Sequence, residues 1–147
     1  MSMFKAIDVS ATGLTAERLR MDIISKNIAN ANTTRTSSGT PYRRQVPVFK
    51  EASSQLSFAE QLDAAKGKRQ GGNGVEITAI KEDKTPFKKI YEPGHPDADE
   101  NGYVQMPNVD IVSEMINMIS STRAYEANVT SLNATKSMAM KALEIGR

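Results

Sequence analysis

The sequence predicts a mainly α-helical protein in which two long terminal helices pack as an antiparallel, coiled-coil-like pair beside a small β-rich insert. Three observations carry that prediction. Ile7, Leu14, Met21 and Ile28 recur every seven residues near the N-terminus, with Phe4, Ala11 and Ile24 filling spacings of three or four. Val112, Met115, Ile116, Ile119, Thr122, Val129, Leu132, Ala139 and Leu143 do the same near the C-terminus. The stretch between them holds glycines, prolines and alternating patterns instead. Positions three, four and seven apart lie on one helix face, so each end builds an apolar seam. A single pair of helices cannot satisfy both seams fully, and the surplus apolar surface makes assembly with further chains the leading reading.

The elements follow in order. The first helix is expected from about Ser2 to Ala31, roughly 45 Å at ~1.5 Å per residue. Asn27, Asn30 and Asn32, then Thr33 and Thr34, mark its end, because these residues favour caps and turns over helix interiors. Arg35 to Pro41, with Ser37, Ser38 and Gly39, reads as loop. Tyr42 to Lys50 is extended, and Pro47, which has no amide to give a ladder, argues for an edge strand or a bulge. Residues 51–66 carry a weak helical pattern in Leu56, Ala59 and Leu62, and Gly67 to Gly74 reads as a mobile loop or turn. Val75, Ile77 and Ala79 alternate with Glu76 and Thr78, with one flaw at Ile80. Phe87 to Glu92 and Gly102 to Met106 are two further candidate strands. The second helix starts after Pro107, with Asn108 or Asp110 as its N-cap and Glu114 favourable in its first turns. It runs roughly 55 Å to about Ile145, where Gly146 ends it. Only eight of residues 108–147 are charged, and Ala124, Ala127, Ala134, Ala139 and Ala142 leave room for close helix approach. The chain thus divides into 1–33, an insert of 34–107 whose flexible part is 51–74, and 108–147.

Composition narrows the function classes. At 147 residues the chain suits one ordinary domain or two small ones. Its formal charge of +2 is evenly spread: four basic and three acidic groups in 1–33, eleven and ten in 34–107, four and four in 108–147. A nucleic-acid binder needs a basic face, which this balance does not supply. With no cysteine, disulfides, thiolate metal sites and cysteine nucleophiles are excluded. No apolar run approaches the ~18 residues of a membrane span, so no direct span is expected. The N-terminus lacks the apolar core of a secretory signal, and export would need a route that removes none.

Candidate sites are few. Asp97-Ala98-Asp99-Glu100-Asn101-Gly102 begins like a calcium-binding EF loop, but the twelfth position, which needs a bidentate Glu, is Asn108. Pro93-Gly94-His95-Pro96 also forbids the usual entering helix, so an acidic turn is the better reading and no metal is expected. His95 is the sole histidine and has no evident nucleophile beside it. Gly71-Gly72-Asn73-Gly74 precedes a strand, whereas a phosphate cradle opens a helix. The residues therefore argue against an enzyme and call for no cofactor. Tyr42-Arg43-Arg44 and Lys66-Gly67-Lys68-Arg69 read as solvated surface or a protein–protein salt-bridge face. The methionines fit adaptable packing and mark helix faces that could meet several neighbours. Asn27 and Asn30, one turn apart, are either a helix end or amides that cross-link neighbouring chains once water is excluded.

At these asparagines the chain also resembles a known family. Ser10 and Leu14, then Asn27-Ile28-Ala29-Asn30-Ala31-Asn32-Thr33 and Tyr42-Arg43-Arg44, are similar to the N-terminal signature of the flagellar axial family of rod and hook proteins. Most members run straight from the threonine to a Gly-Tyr pair. This chain has Thr34-Arg35-Thr36-Ser37-Ser38-Gly39-Thr40-Pro41-Tyr42-Arg43-Arg44-Gln45 instead, which is similar to the proximal-rod branch, as are Tyr91 to Val104 and Met106-Pro107-Asn108-Val109. Residues 51–74 match nothing specific. The resemblance implies a structural subunit of the bacterial flagellar basal-body rod in the periplasm, with an inner domain made from both termini. It implies a helical tube that transmits torque around an export channel, and export through the type III apparatus. Its partners would be other proximal and distal rod proteins and MS-ring or export-gate components. Expected interface residues are Ile7, Leu14, Met21, Ile24, Asn27, Ile28, Asn30, Asn32, Val112, Ile116, Ile119, Val129 and Leu132. The rival reading is a soluble helical adaptor or chaperone that closes into a discrete oligomer.

Overall fold

The computed structural model describes residues 3–52 and 73–145. Two helices frame it, α1 (Met3–Ala29) and α2 (Ile111–Ile145). They run antiparallel: Asn27 of α1 bonds to Glu114 at the start of α2, while Gly13 lies against Asn128 further along. Between them come β1 (Gln45–Glu51) and β2 (Val75–Glu82), one antiparallel pair, then β3 (Lys88–Tyr91) and β4 (Tyr103–Met106), a second. The mainly helical fold with a small β-rich insert is the one the periodicities predict. The helical pattern of 53–66 and most of the 67–74 turn lie outside the described residues, while Glu51 closes β1.

The boundaries shift for local reasons. α1 ends two residues before Ala31, because the backbone turns at Asn30: its side-chain amide donates to the Lys26 carbonyl at 2.9 Å, and the Thr33 amide donates to the Asn30 carbonyl at 3.1 Å. Of the two N-cap candidates, Asp110 takes the role. Its carboxylate accepts from the Ser113 hydroxyl at 2.7 Å and the Val112 amide at 3.3 Å. Asn108 is left for another task. Pro47 sits in β1 one residue before the register shift between Val48 and Phe49, so the strand bends where its ladder is already interrupted.

The β1–β2 hairpin packs on α1, along the face marked by Thr12, Ala16 and Leu19 in helical spacing. α2 occupies another face, so α1 is the middle layer. Ala16, Ile23 and Ile24 of α1 are buried, and Val104 and Val109 are buried where the second sheet leads into α2. Two glycines permit close approaches. Gly74 has φ of +93°, and a Cβ there would collide with Thr12, whose hydroxyl accepts from the Val75 amide at 3.1 Å. Gly102 has φ of +78° and lies under Tyr91, which meets Tyr103 edge-on at 5.3 Å between ring centres.

Candidate functional site: an assembly surface

A buried polar cluster fixes where α2 leaves the insert. Asn27, 1% exposed, uses every hydrogen-bonding position it has. Its amide nitrogen donates to the Gln45 carbonyl at 2.8 Å and to Glu114 Oε2 at 2.9 Å. Its oxygen accepts from the Gln45 amide at 2.9 Å and the Tyr42 hydroxyl at 3.0 Å. Glu114, also 1% exposed, takes two bonds on Oε1 from the Arg44 guanidinium, Nε at 2.9 Å and Nη2 at 2.7 Å. Arg44 reaches Asp83 at 3.4 Å as well, and its amide donates to Asn108 Oδ1 at 2.8 Å. Asn108 in turn donates to the Asp83 carbonyl and the Thr85 hydroxyl.

The electrostatics agree with this wiring. Burial, then the charges of Glu114 and Glu82, push the Tyr42 hydroxyl above its ordinary range and keep it neutral. Burial alone would lower Arg44, but its bonds to Glu114 and Asp83 outweigh burial and hold it charged. The Thr85 amide, followed by the Thr85 hydroxyl and Arg44, holds the Asp83 carboxyl below the usual range. A buried ion pair of this kind is weak evidence for added stability, but removing one member strands the other at a cost of about 3–5 kcal/mol.

Two sequence expectations change here. Asn27 is fully engaged inside the chain, so its amide is not left over to bond a neighbour. Tyr42-Arg43-Arg44 is not solvated surface: Tyr42 and Arg44 join the cluster, and Arg43 stacks on Phe87 at 4.4 Å while donating to the Asp83 carbonyl. Periodicity missed Glu114, whose place in the α1-facing series Glu114, Ser121, Asn128 was the available signal.

That series exposes the main feature of α2. The face turned to α1 is small and polar: the Ser121 hydroxyl donates to Glu17, Thr122 to the Met21 sulfur, and Asn128 covers Gly13. The large apolar residues point outward instead. Val112 is 66% exposed, Ile116 62%, Ile119 55% and Met115 53%. Beyond the other end of the pair, Phe4, Met138, Met140, Leu143 and Ile145 are exposed as well. Of the remaining expected interface residues, Ile24 is buried within the chain. Ile7, Leu14, Met21, Ile28, Asn30, Val129 and Leu132 are half-buried, and Asn32 is exposed.

The acidic loop is an internally bonded turn. Asp99 accepts from the amides of Asn101 and Tyr103, at 3.0 and 2.9 Å. Asp97 accepts from the Thr34 hydroxyl at 2.8 Å and faces Arg35, docking this loop on the 34–41 segment. His95 Nδ1 accepts from the Asp97 amide. Asn108, where an EF loop would need its closing carboxylate, is committed to Thr85 and Arg44. No helix among the described residues is long and apolar enough to cross a membrane.

Small and polar residues turned inward, large apolar ones turned outward and a buried cluster bracing the helix together define a structural subunit of a larger assembly. Comparison with known proteins gives that class its place. Residues 7–35 match the family model described as flagella basal body rod protein, and residues 100–145 match flagellar basal body rod FlgEFG protein C-terminal. The chain is 47% identical to flagellar basal-body rod protein FlgC of Bacillus subtilis, over the whole of both chains. It is 46% identical to that of Borreliella burgdorferi, covering 99% of this chain and 98% of the relative. It is 40% identical to that of Salmonella typhimurium, again over the whole of both. The chain belongs to the FlgC family of flagellar basal-body rod proteins and is a structural subunit of the rod.

Proposed function

We propose that the chain polymerises with other rod subunits into a helical tube that surrounds an export channel and transmits torque across the periplasm. The supporting observation is the outward stripe Val112, Met115, Ile116 and Ile119, which one chain leaves in water. Apolar area of that size on a single helix face marks a contact surface. Head-to-tail contacts propagate where isologous ones close, which suits a rod. In this reading 1–33 and 108–147 form the inner domain, and 34–107 is the outer insert. Ile7, Leu14, Met21, Ile28, Val129 and Leu132, which one chain leaves half-buried, complete the contact surface at the edges of the stripe. Partners are other proximal and distal rod proteins and MS-ring or export-gate components, with delivery by the type III apparatus. The role is structural, as it is for the relatives, with no catalytic step.

A photo-crosslinking residue at Ile116 tests this in cells. It is expected to give adducts with rod subunits in purified basal bodies, whereas the same probe at Ser121, buried between the helices, gives none. Normal basal bodies with no adduct at Ile116 would overturn the reading.

A further inference from the structure

The interhelical seam contains little that defines its own register. Along α2 the residues that meet α1 at seven-residue spacing are Glu114, Ser121 and Asn128, and Thr135 is the next position in the series. A slide of one heptad would replace Ser121 with Asn128 and Asn128 with Thr135, exchanging small polar groups for small polar groups. Gly13 on α1, which lies against Asn128, offers no large knob to resist the slide. Only position 114 is unlike the rest. It carries a charge, it is 1% exposed, and its three short bonds come from two other segments, one from Asn27 of α1 and two from Arg44.

We propose that the Asn27–Glu114–Arg44 cluster is a register pin: it, and not side-chain packing along the seam, selects one alignment of α1 against α2. A slipped alignment would put Ser121 opposite Asn27 and leave Arg44 and the Asn27 amide without their carboxylate. An unpaired buried charge is the most heavily penalised outcome available to this interface. A single polar group at an otherwise permissive helix seam is known to specify register in this way. The consequence is geometric. α2 carries one apolar patch at residues 112–119 and another at 138–145, and a heptad slide moves both by about 10 Å relative to α1 and the hairpin. The pin therefore fixes where the chain presents its apolar surface, whatever partner covers it. It does not depend on the proposed tube.

The absence of cysteine makes the test clean. Met21→Cys with Thr122→Cys reports the native register, since these side chains already touch at 3.7 Å. Met21→Cys with Val129→Cys, or with Met115→Cys, reports a slide of one heptad in either direction. In the otherwise native full chain the first pair should oxidise at least ~10-fold faster than the other two. In a variant with the cluster replaced by apolar residues of similar volume (Asn27→Leu, Arg44→Met, Glu114→Leu), that preference should fall about tenfold while helix content by circular dichroism is retained. Arg44→Lys, which keeps the charge but loses the fork, should fall between the two. Retention of the full native preference in the apolar variant would overturn the proposal, because the seam would then select its own register. Loss of helix content in that variant would overturn it too, because a pin on an adequate seam slips when removed and does not melt.

Discussion

Ile116→Asp separates the assembly role of α2 from its role in the fold. Ile116 is 62% exposed, and its neighbours Val112, Ile119 and Met115 are 66%, 55% and 53% exposed. Fully burying an aliphatic side chain is worth about 1.5–3 kcal/mol, so the open parts of these four hold about 3.5–7 kcal/mol in reserve for a neighbour. Ile116 alone accounts for about 1–2 kcal/mol of that. In the free chain an aspartate there remains in water, and the change should cost about 0.5 kcal/mol or less in helix preference. At a closed contact it loses the apolar gain and also desolvates a carboxylate, a cost of several kcal/mol. Together these weaken each contact on the order of a thousandfold. Urea unfolding followed by circular dichroism measures the first quantity, and rod formation with swimming motility measures the second. The expected result is a nearly unchanged unfolding midpoint with no rods. A loss of stability above about 2 kcal/mol would show that the residue is covered within its own chain. Normal rods would show that the stripe is not a contact.

Three further outcomes follow. Asn27→Ala strands the Gln45 backbone groups, the Tyr42 hydroxyl and one Glu114 oxygen, and should destabilise the chain by about 2–4 kcal/mol in urea; a change under about 1 kcal/mol would refute the account of the cluster. Gly74→Ala meets both a φ of +93° and the Thr12 hydroxyl, so a loss of about 1–3 kcal/mol is expected in the same assay, smaller in a Thr12→Ala background that removes the hydroxyl; no loss at all would refute the close approach. Acid unfolding should report Asp83 and Asp110, whose folded pKa values are depressed by Thr85 and by Ser113 respectively. A depressed carboxylate means that the unfolded chain binds more protons in the window, so stability is fully present above the unfolded value of about 3.9 and falls as pH drops through the folded value. The unfolding midpoint should therefore decline between about pH 5 and pH 3, and Asp83→Asn should flatten part of that decline.

Local chemistry explains which boundaries were legible. Asn30 and Asp110 act on amides and carbonyls within four residues of themselves, so turn and cap preferences locate the helix ends to within a residue or two. Pro47 lacks a ladder donor wherever it sits, so the irregularity of β1 was foreseeable. The acidic loop was likewise legible as a turn, because Asp99 caps neighbours two and four positions on. Arg44 was not. Nothing near it in sequence distinguishes a solvated arginine from one paired with a carboxylate seventy residues away.

The amino-acid order by itself determined two long amphipathic helices, a β-rich insert and more apolar surface than one helix pair can cover, because each depends on spacing along the chain. Only the tertiary structure decided which side of α2 meets α1. The large stripe Val112, Ile116 and Ile119 was the natural candidate for the inner face, yet the small polar series Glu114, Ser121 and Asn128 holds it. The physical reason is a long-range one. Burying Glu114 is tolerable only opposite Asn27 and Arg44, and once it is placed there, the rigid turn of the helix points the apolar stripe away from its own chain.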